Sequence, residues 1–276
     1  NVSEHGKKTA MSHTAAISNN DDVVNTIFDR LNIIRVNSFS EIITTAKAFE
    51  LPPMKGNRLM VMSPAGGVNV IMADHCEELG FEFADPGESF YKELENFSNA
   101  GVINFSNPLD MGDIYDPDMY AHIFYSIMHN DKIDGAVYVS QWPSMPKGDD
   151  VFYKMFHTDL SRETTGAMLS SGKPLAACLF GLSHSLAKIK RNLSFPIFGR
   201  IDEMLKALRK QSNYYEKKMK GLPELSLPKE IKIKKAKEWI SVHKGPIGEE
   251  SLELLSHFKI PSPSSGIASD EYSAVD

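Results

Sequence analysis

The first segment with residues that could do chemistry contains two glycines, Gly66 and Gly67. They lie between an apolar run and a helical pattern. Residues 58–72 read RLMVMSPAGGVNVIM, which predicts a strand, a glycine turn and then a helix. Unpaired N–H groups at a helix start, together with the helix dipole, can bind phosphate or carboxylate, and glycine lets the backbone approach the ligand. The segment lacks the ending of a P-loop and is not the dinucleotide fingerprint. An anion site and a plain tight turn therefore stay equally open on this pattern.

His13 is the second candidate, because its neighbours are small. Ser12, Thr14, Ala15 and Ala16 leave the imidazole accessible. A neutral imidazole can attack a phosphoryl group near neutral pH. A lone histidine in a polar stretch is more often an ordinary surface residue, so the local pattern by itself favours that interpretation.

Asn107 and Asp110 follow a predicted strand, in a segment that reads SNPLDMG over residues 106–112. Loops at the carboxyl edge of a parallel sheet are where α/β domains bind ligands. The two side chains could contact a ligand or orient the loop, and local turn formation is the commoner outcome. The nearby aspartates, the histidines and the cysteines lack the spacing of a calcium or zinc site, so no metal site is predicted.

Composition limits the classes of partner. The 276 residues carry a formal net charge of −6, with 42% hydrophobic and 24% charged residues, an ordinary globular balance. An acidic chain is not expected to have general affinity for nucleic acid or for an anionic membrane. No apolar run approaches the roughly 20 residues that span a bilayer. Cys76 and Cys178 predict reduced thiols in a cytoplasmic protein, with a single disulfide left open.

Strand and helix patterns alternate through the middle of the chain. The alternation predicts an α/β fold, a flavodoxin-like doubly wound parallel sheet with helices on both faces. The predicted strands, of which the last two are weaker, are residues 59–62, 136–139, 175–179, 196–198, 81–83 and 102–105. The predicted helices between them are residues 68–79, 117–129, 149–170 and 202–218.

Proline-marked segments at residues 51–54 and 221–228 predict boundaries on either side of this region. Before the first boundary we expect a helix from about residue 20, a short strand at 33–36 and a second helix that Ser38 caps. Asp116, followed by proline, predicts another helix cap. Beyond the second boundary, helices are expected over residues 229–242 and 249–258.

Several segments together resemble the NDP-forming (ADP-forming) acyl-CoA synthetases, relatives of succinyl-CoA synthetase. Residues 12–17 (SHTAAI) resemble the family's Ser-His-Thr-Gly-Ala-Leu segment, and residues 56–80 resemble the start of its second CoA-ligase domain. Residues 106–110 (SNPLD) resemble its Asn-Pro-Val-Asp loop, and residues 249–263 its approach to the ATP-grasp domain. The first three matches occur in the family's order, the fourth is a weaker match, and the resemblance covers nearly the whole chain.

The resemblance implies a function for each part. Residues 1–50 would be the end of the first CoA-ligase domain, residues 51–222 the second, and residues 223–276 the start of ATP-grasp. His13 would be the transiently phosphorylated residue. The reaction would interconvert acyl-CoA, ADP and phosphate with a carboxylic acid, CoA and ATP.

The turn that would hold the phosphoryl group corresponds to Ala65, Gly66, Gly67 and Val68. Val68 stands where the family has proline and would add a donor, and Ala15 replaces a glycine.

The resemblance also implies that the chain is an interior fragment, inactive alone. We expect no cofactor within it, whereas the parent protein would use CoA, ATP or ADP, and Mg²⁺. Acyl-CoA, carboxylic acid, phosphate and nucleotide would bind through the parent's other domains. A homodimer and an αβ assembly are both compatible with the family.

Two other interpretations stay open. One is a non-catalytic, acyl-CoA-sensing module like those in protein acetyltransferases, which generally lack the reactive histidine. The other is a free-standing flavodoxin-like domain whose glycine turn holds another anion. Residues 1–50 could then leave apolar surface that promotes dimerisation.

Overall fold

The structure is a computed structural model of the chain. It describes residues 3, 5, 6, 8, 9, 21–97, 105–114, 116–141, 158–181, 186, 187, 190, 196–221, 231–245, 248 and 250–262. The chain divides into two compact units, Asn1–Leu222 and Pro223–Asp276. The assignment of residues 1–50 and 51–222 to different family domains remains a prediction, because both segments lie in the first unit.

A parallel sheet forms the centre of the first unit. Its strands are β1 (Arg58–Ser63), β2 (Glu82–Phe83), β3 (Leu109–Asp110), β4 (Gly135–Gln141), β5 (Leu175–Phe180) and β6 (Ile197–Phe198). The strand order is β2–β1–β4–β5–β6, and β3 also pairs with β1. Each pairing is parallel. This is the flavodoxin-like order, and the predicted α/β fold class is confirmed.

The helices of the first unit pack in two groups. Those with described bounds are α1 (Asp21–Arg30), α2 (Phe39–Glu50), α3 (Gly66–Glu78), α4 (Glu88–Glu95), α5 (Pro117–Met128), α6 (Thr158–Ser171) and α7 (Ile201–Lys220). In one group, α7 contacts α2, α3, β5 and β6, and α3 also contacts β1. In the other group, α5 contacts β4 and α6. β1, β4 and β5 are buried over almost their whole length, as expected for strands covered on both faces.

Two predicted helix caps are confirmed. The Ser38 hydroxyl accepts a hydrogen bond from the Glu41 N–H at 3.1 Å, and the Glu41 carboxylate accepts one from the Asn37 N–H at 2.5 Å. At the start of α5 the Asp116 carboxylate accepts a hydrogen bond from the Asp118 N–H at 2.9 Å. The first residue of this helix is a proline, as predicted. Each cap satisfies a backbone donor that the helix itself cannot pair.

Two strand predictions fail within the described residues. Residues 33–36 are in no strand, although their apolar pattern suggested one. Phe105 is likewise in no strand, and the rest of the predicted strand at 102–105 lies outside the described residues. The strand that pairs with the end of β1 is instead Leu109–Asp110, beyond the cis peptide bond that joins Asn107 to Pro108.

Helix α4 was not predicted, although Phe90 and Leu94 lie four residues apart and are both buried. That spacing is the signal that could have revealed it.

α2 is fastened to α7 by a fully buried glutamine. The Gln211 side-chain amide donates to the carbonyls of Ala48, Leu51 and Pro52, at 2.5, 3.2 and 3.3 Å. Its carbonyl oxygen accepts the Met54 N–H at 3.1 Å. One side chain therefore satisfies the end of α2 and the proline segment that follows it.

α1 and α2 expose many large apolar side chains. α1 has no buried residue, and α2 buries only Thr44, Thr45 and Ala48. The exposed apolar side chains of this part of the chain are Val23, Ile27, Leu31, Ile33, Phe39, Ile42 and Ile43.

The described part of the second unit consists of α8 (Ile233–Val242) and α9 (Ser251–His257). Trp239 is buried, and its indole N–H donates to Glu253 at 3.0 Å. The Lys232 N–H donates to the His257 carbonyl at 2.9 Å. These contacts hold the two helices together.

Within the described residues, every helix is too short or too polar to cross a membrane. Cys76 and Cys178 are both buried and unpaired. Burial raises the pKa of each thiol to about 12, so neither is a thiolate near neutral pH.

Candidate anion site at the glycine turn

The glycine turn follows β1 directly, at the point where the order of the sheet reverses. β1 is flanked by β2 and β3 on one side and by β4 on the other. In doubly wound sheets, ligands bind outside the carboxyl ends of the strands at this switch point. Gly66 and Gly67 begin α3 there, and both are exposed. The fold therefore places the predicted segment where such a domain can receive a ligand.

Within the described residues, only two of the four candidate amides are without a hydrogen-bond partner. The Ala65 N–H donates to the Ser63 hydroxyl at 3.1 Å, and the Val68 N–H donates to the Ala65 carbonyl at 2.9 Å. Val68 therefore does not add the donor expected where the family has proline. Among the described residues, no hydrogen bond uses the N–H groups of Gly66 and Gly67. These two donors, at the positive end of the α3 dipole, are available to an anion.

The Asp110 carboxylate lies beside the turn. Asp110 pairs with Ser63 in the sheet, which brings the end of β3 next to the end of β1. One carboxylate oxygen accepts the Gly112 N–H at 2.9 Å. The other lies so close to Gly66 that a Cβ there would be only 3.0 Å away. Glycine at position 66 thus leaves room for the carboxylate as well as for a ligand.

The Asn107 side chain forms its hydrogen bonds with the backbone of the sheet and of the residue after β2. Its amide group donates to the carbonyls of Leu59 and Ala84, both at 2.8 Å, and its oxygen accepts the Val61 N–H at 3.0 Å. It fills the gap beside β1 between the short strands β2 and β3. Of the two functions considered for Asn107, this geometry supports the orientation of the loop.

Asn69 joins the first turn of α3 to the sheet, and the sequence analysis did not predict this contact. Its side-chain amide lies 3.4 Å from the Ser63 carbonyl and 3.3 Å from the Leu109 carbonyl. It is 7% exposed, and its carbonyl oxygen has no partner among the described residues. A polar residue at a buried helical position is the signal that could have identified it.

His13 lies outside the described residues, so its distance from Gly66 and Gly67 is not part of this geometry. Its function as a phosphoryl carrier stays a prediction. Within the described ranges, no group of three or more histidine, cysteine, aspartate or glutamate side chains could hold a metal ion.

Comparison with known proteins shows which proteins the chain resembles. A family model described as the Succinyl-CoA ligase like flavodoxin domain matches residues 1–49. The alpha subunit of an ADP-forming acetate–CoA ligase II from Pyrococcus furiosus is 32% identical over 109 residues, covering 40% of this chain and 24% of that protein. An ADP-forming 4-hydroxybutyrate–CoA ligase from Nitrosopumilus maritimus is 25% identical, covering 99% of this chain and 38% of its own length. The chain is similar in sequence to ADP-forming acyl-CoA ligases. The resemblance predicted from the sequence is therefore confirmed.

A solved structure agrees with the fold. The dinucleotide-forming acetyl-coenzyme A synthetase 1 of Ca. Korarchaeum cryptofilum, in complex with phosphate and ADP, superposes with a TM-score of 0.62. It is 20% identical, and the match covers 79% of this chain and 47% of that one. The chain thus spans less than half of each of these three relatives, from 24% to 47% of their lengths.

Proposed function

We propose that this chain is the phosphoryl-handling part of an ADP-forming acyl-CoA ligase in the cytoplasm. The observation that supports the proposal is the pair of backbone N–H groups of Gly66 and Gly67 at the switch point of the sheet. Both residues are exposed, and neither N–H group has a hydrogen-bond partner among the described residues. Two N–H groups at a helix start suit a doubly charged phosphoryl group. The names of the relatives supply the reaction class, an acid–thiol ligase that forms ADP.

The proposed reaction has three steps, each of which transfers one group. Phosphate attacks the thioester carbonyl of an acyl-CoA, which gives an acyl phosphate and releases CoA. The imidazole of His13 then takes the phosphoryl group, and the carboxylate leaves. Finally ADP takes the phosphoryl group from phosphohistidine, which gives ATP and returns a neutral imidazole. All three steps are reversible.

In this scheme the glycine turn binds charge and does not itself react. The N–H groups of Gly66 and Gly67 would bind the phosphoryl oxygens while the group is on His13. The turn is exposed, so it suits a phosphoryl group that arrives on another segment of polypeptide. Preorganised amides of this kind lower the free energy of a charged intermediate without having to reorient.

CoA, the nucleotide and Mg²⁺ are proposed for the whole protein. Nucleotide and magnesium would belong to the ATP-grasp part, of which α8 and α9 would be the beginning. Acyl substrate and CoA would bind through other domains, in a homodimer or an αβ assembly. The apolar surface of α1 and α2 supports an assembly in which that surface is covered.

The alternative of an acyl-CoA-sensing module gains no support from the relatives, which are ligases by name. A turnover assay separates the two hypotheses. Full-length protein carrying this chain is mixed with ADP, phosphate and either acetyl-CoA or 4-hydroxybutyryl-CoA, and ATP is measured. We expect ATP from at least one thioester, loss of activity in His13→Ala and retention in the control His5→Ala. Binding of both thioesters without any ATP would contradict the proposal.

A further inference from the structure

Asp110 presents a negative charge beside the amides that would receive a phosphoryl group. Its two carboxylate oxygens face two glycines. A Cβ at Gly66 would be 3.0 Å from one oxygen, and a Cβ at Gly112 would be 3.1 Å from the other. The turn and the β3 loop thus approach the carboxylate from both sides, which places it firmly at the start of α3.

The described residues give this charge little compensation. Among the described residues, its carboxylate accepts one hydrogen bond, from the Gly112 N–H at 2.9 Å. No lysine or arginine in the described ranges forms an ion pair with it, although eleven other ion pairs, such as Arg58–Asp134, are present there. The remaining compensation is the positive end of the α3 dipole, which is also what attracts a ligand.

We propose that Asp110 weakens the hold of the glycine turn on a phosphoryl group, so that the turn receives the group and also releases it. The inference rests on the proposed function, because it concerns the same anion site. Two like charges a few ångströms apart repel even where solvent partly screens them. An anion on the Gly66 and Gly67 amides is therefore attracted by the helix start and repelled by Asp110.

This balance suits a carrier step. A phosphoryl group that moves from one partner to the next must not be trapped between them, and a turn with two free amides and no opposing charge would hold it more tightly. Asp110 acts here through charge, as a residue that sets the affinity of the site, and it takes no part in bond making.

The test is a phosphate titration of the 276-residue chain, followed by the NMR signals of the Gly66 and Gly67 amides. Asp110→Asn removes the charge but leaves an oxygen that can still accept the Gly112 N–H. We expect this variant to bind inorganic phosphate about tenfold more tightly than the wild type. The control, Asp74→Asn, removes an exposed carboxylate from the middle of the same helix and should change the affinity less than twofold.

The salt dependence of phosphate binding distinguishes an effect of the Asp110 charge from a structural effect of the substitution. The gain in Asp110→Asn should shrink when salt is raised from about 0.01 M to about 1 M, because the screening length falls from about 30 Å to about 3 Å. Equal or weaker phosphate binding by Asp110→Asn overturns the inference, and so does a gain that salt does not change. If phosphate shifts neither amide in any variant, the proposed anion site itself fails, and the inference fails with it.

Discussion

Arg58 and Asp134 form a two-pronged ion pair that joins the amino ends of β1 and β4. The guanidinium donates to both carboxylate oxygens, at 2.9 and 2.7 Å, and the Arg58 N–H donates to the same side chain at 3.0 Å. Any side chain at Gly56 would collide with this carboxylate. The pair lies at the edge of the sheet opposite the glycine turn. It therefore stabilises the fold and is not part of the candidate anion site.

This ion pair predicts a pH dependence. Burial disfavours the charge on Asp134, but the hydrogen bonds from Arg58 outweigh it and hold the pKa of this carboxyl below its ordinary value of 3.8. Because the folded-state pKa is depressed, the stabilisation is present above the unfolded-state pKa and is lost as the pH falls through the folded-state pKa. Asp134→Asn should lower the free energy of unfolding at pH 7 by about 1 to 3 kcal/mol.

Urea unfolding at several pH values measures this. The difference between wild type and Asp134→Asn should narrow steadily once the pH falls below about 4. Asp131→Asn, a nearby control whose contact with Arg58 is through its backbone carbonyl, should show no such trend. A difference that is the same at pH 3 as at pH 7 contradicts the assignment.

Gln211 predicts a second effect on stability. Gln211→Ala removes the hydrogen bonds of this buried side chain to the Met54 N–H and to the Leu51 and Pro52 carbonyls. Each unsatisfied group of this kind is costly, so we expect the free energy of unfolding to fall by about 2 to 4 kcal/mol. Asn213→Ala, on the exposed side of α7, is the control and should cost less than about 0.5 kcal/mol. Equal midpoints in urea for the two variants would show that the Gln211 contacts contribute little.

Asn107 predicts a local effect on the loop that carries Asp110. Asn107→Ala removes two hydrogen bonds to the backbone of β1 and one to the Ala84 carbonyl, which follows β2. We expect a loss of about 2 to 3 kcal/mol and faster hydrogen exchange at the Val61 amide. Asn96→Ala, which changes an exposed asparagine at the end of α4, is the matched control. Unchanged exchange at Val61 in Asn107→Ala would argue against the bridging function.

Substitutions at Gly67 test the contribution of its backbone N–H to anion binding. A Cβ at this position meets no atom within 4 Å, so alanine fits there. Proline is tolerated in the first turn of a helix, and the glycine before it is less restricted than other residues. Gly67→Pro deletes the N–H and should weaken phosphate binding roughly 10- to 100-fold, the range for a hydrogen bond to a charged group. Gly67→Ala keeps the N–H and should bind phosphate as the wild type does. Equal binding by the two variants would show that this amide is not a ligand.

The central strands could be predicted from the sequence because they are buried on both faces. β1, β4 and β5 are continuous apolar runs, and the structure extends each by only one to three residues beyond its prediction. β3 could not be found this way, because it has only two residues, Leu109 and Asp110. Its position depends on the Asn107 side chain, which bridges to β1, and such tertiary contacts leave no periodicity in the sequence.

The position of the candidate site was predictable and its detail was not. The glycines between a strand and a helix left an anion site and a plain turn equally open, and the fold places these glycines at the switch point. The hydrogen bonds of the Ala65 and Val68 amides are local, since both acceptors lie within residues 63–65. The position of Asp110 beside Gly66 depends on how β3 pairs with β1, which no local pattern encodes.

Phosphohistidine formation is the central claim, and it can be measured directly. Full-length protein carrying this chain is incubated with acetyl phosphate labelled in its phosphoryl group, and the labelled peptide is identified. We predict acid-labile label on His13, none in His13→Ala, and full labelling in the control His5→Ala. Label that persists in His13→Ala, or a wild-type protein that takes up none, would contradict the assignment of this chain as a phosphoryl carrier.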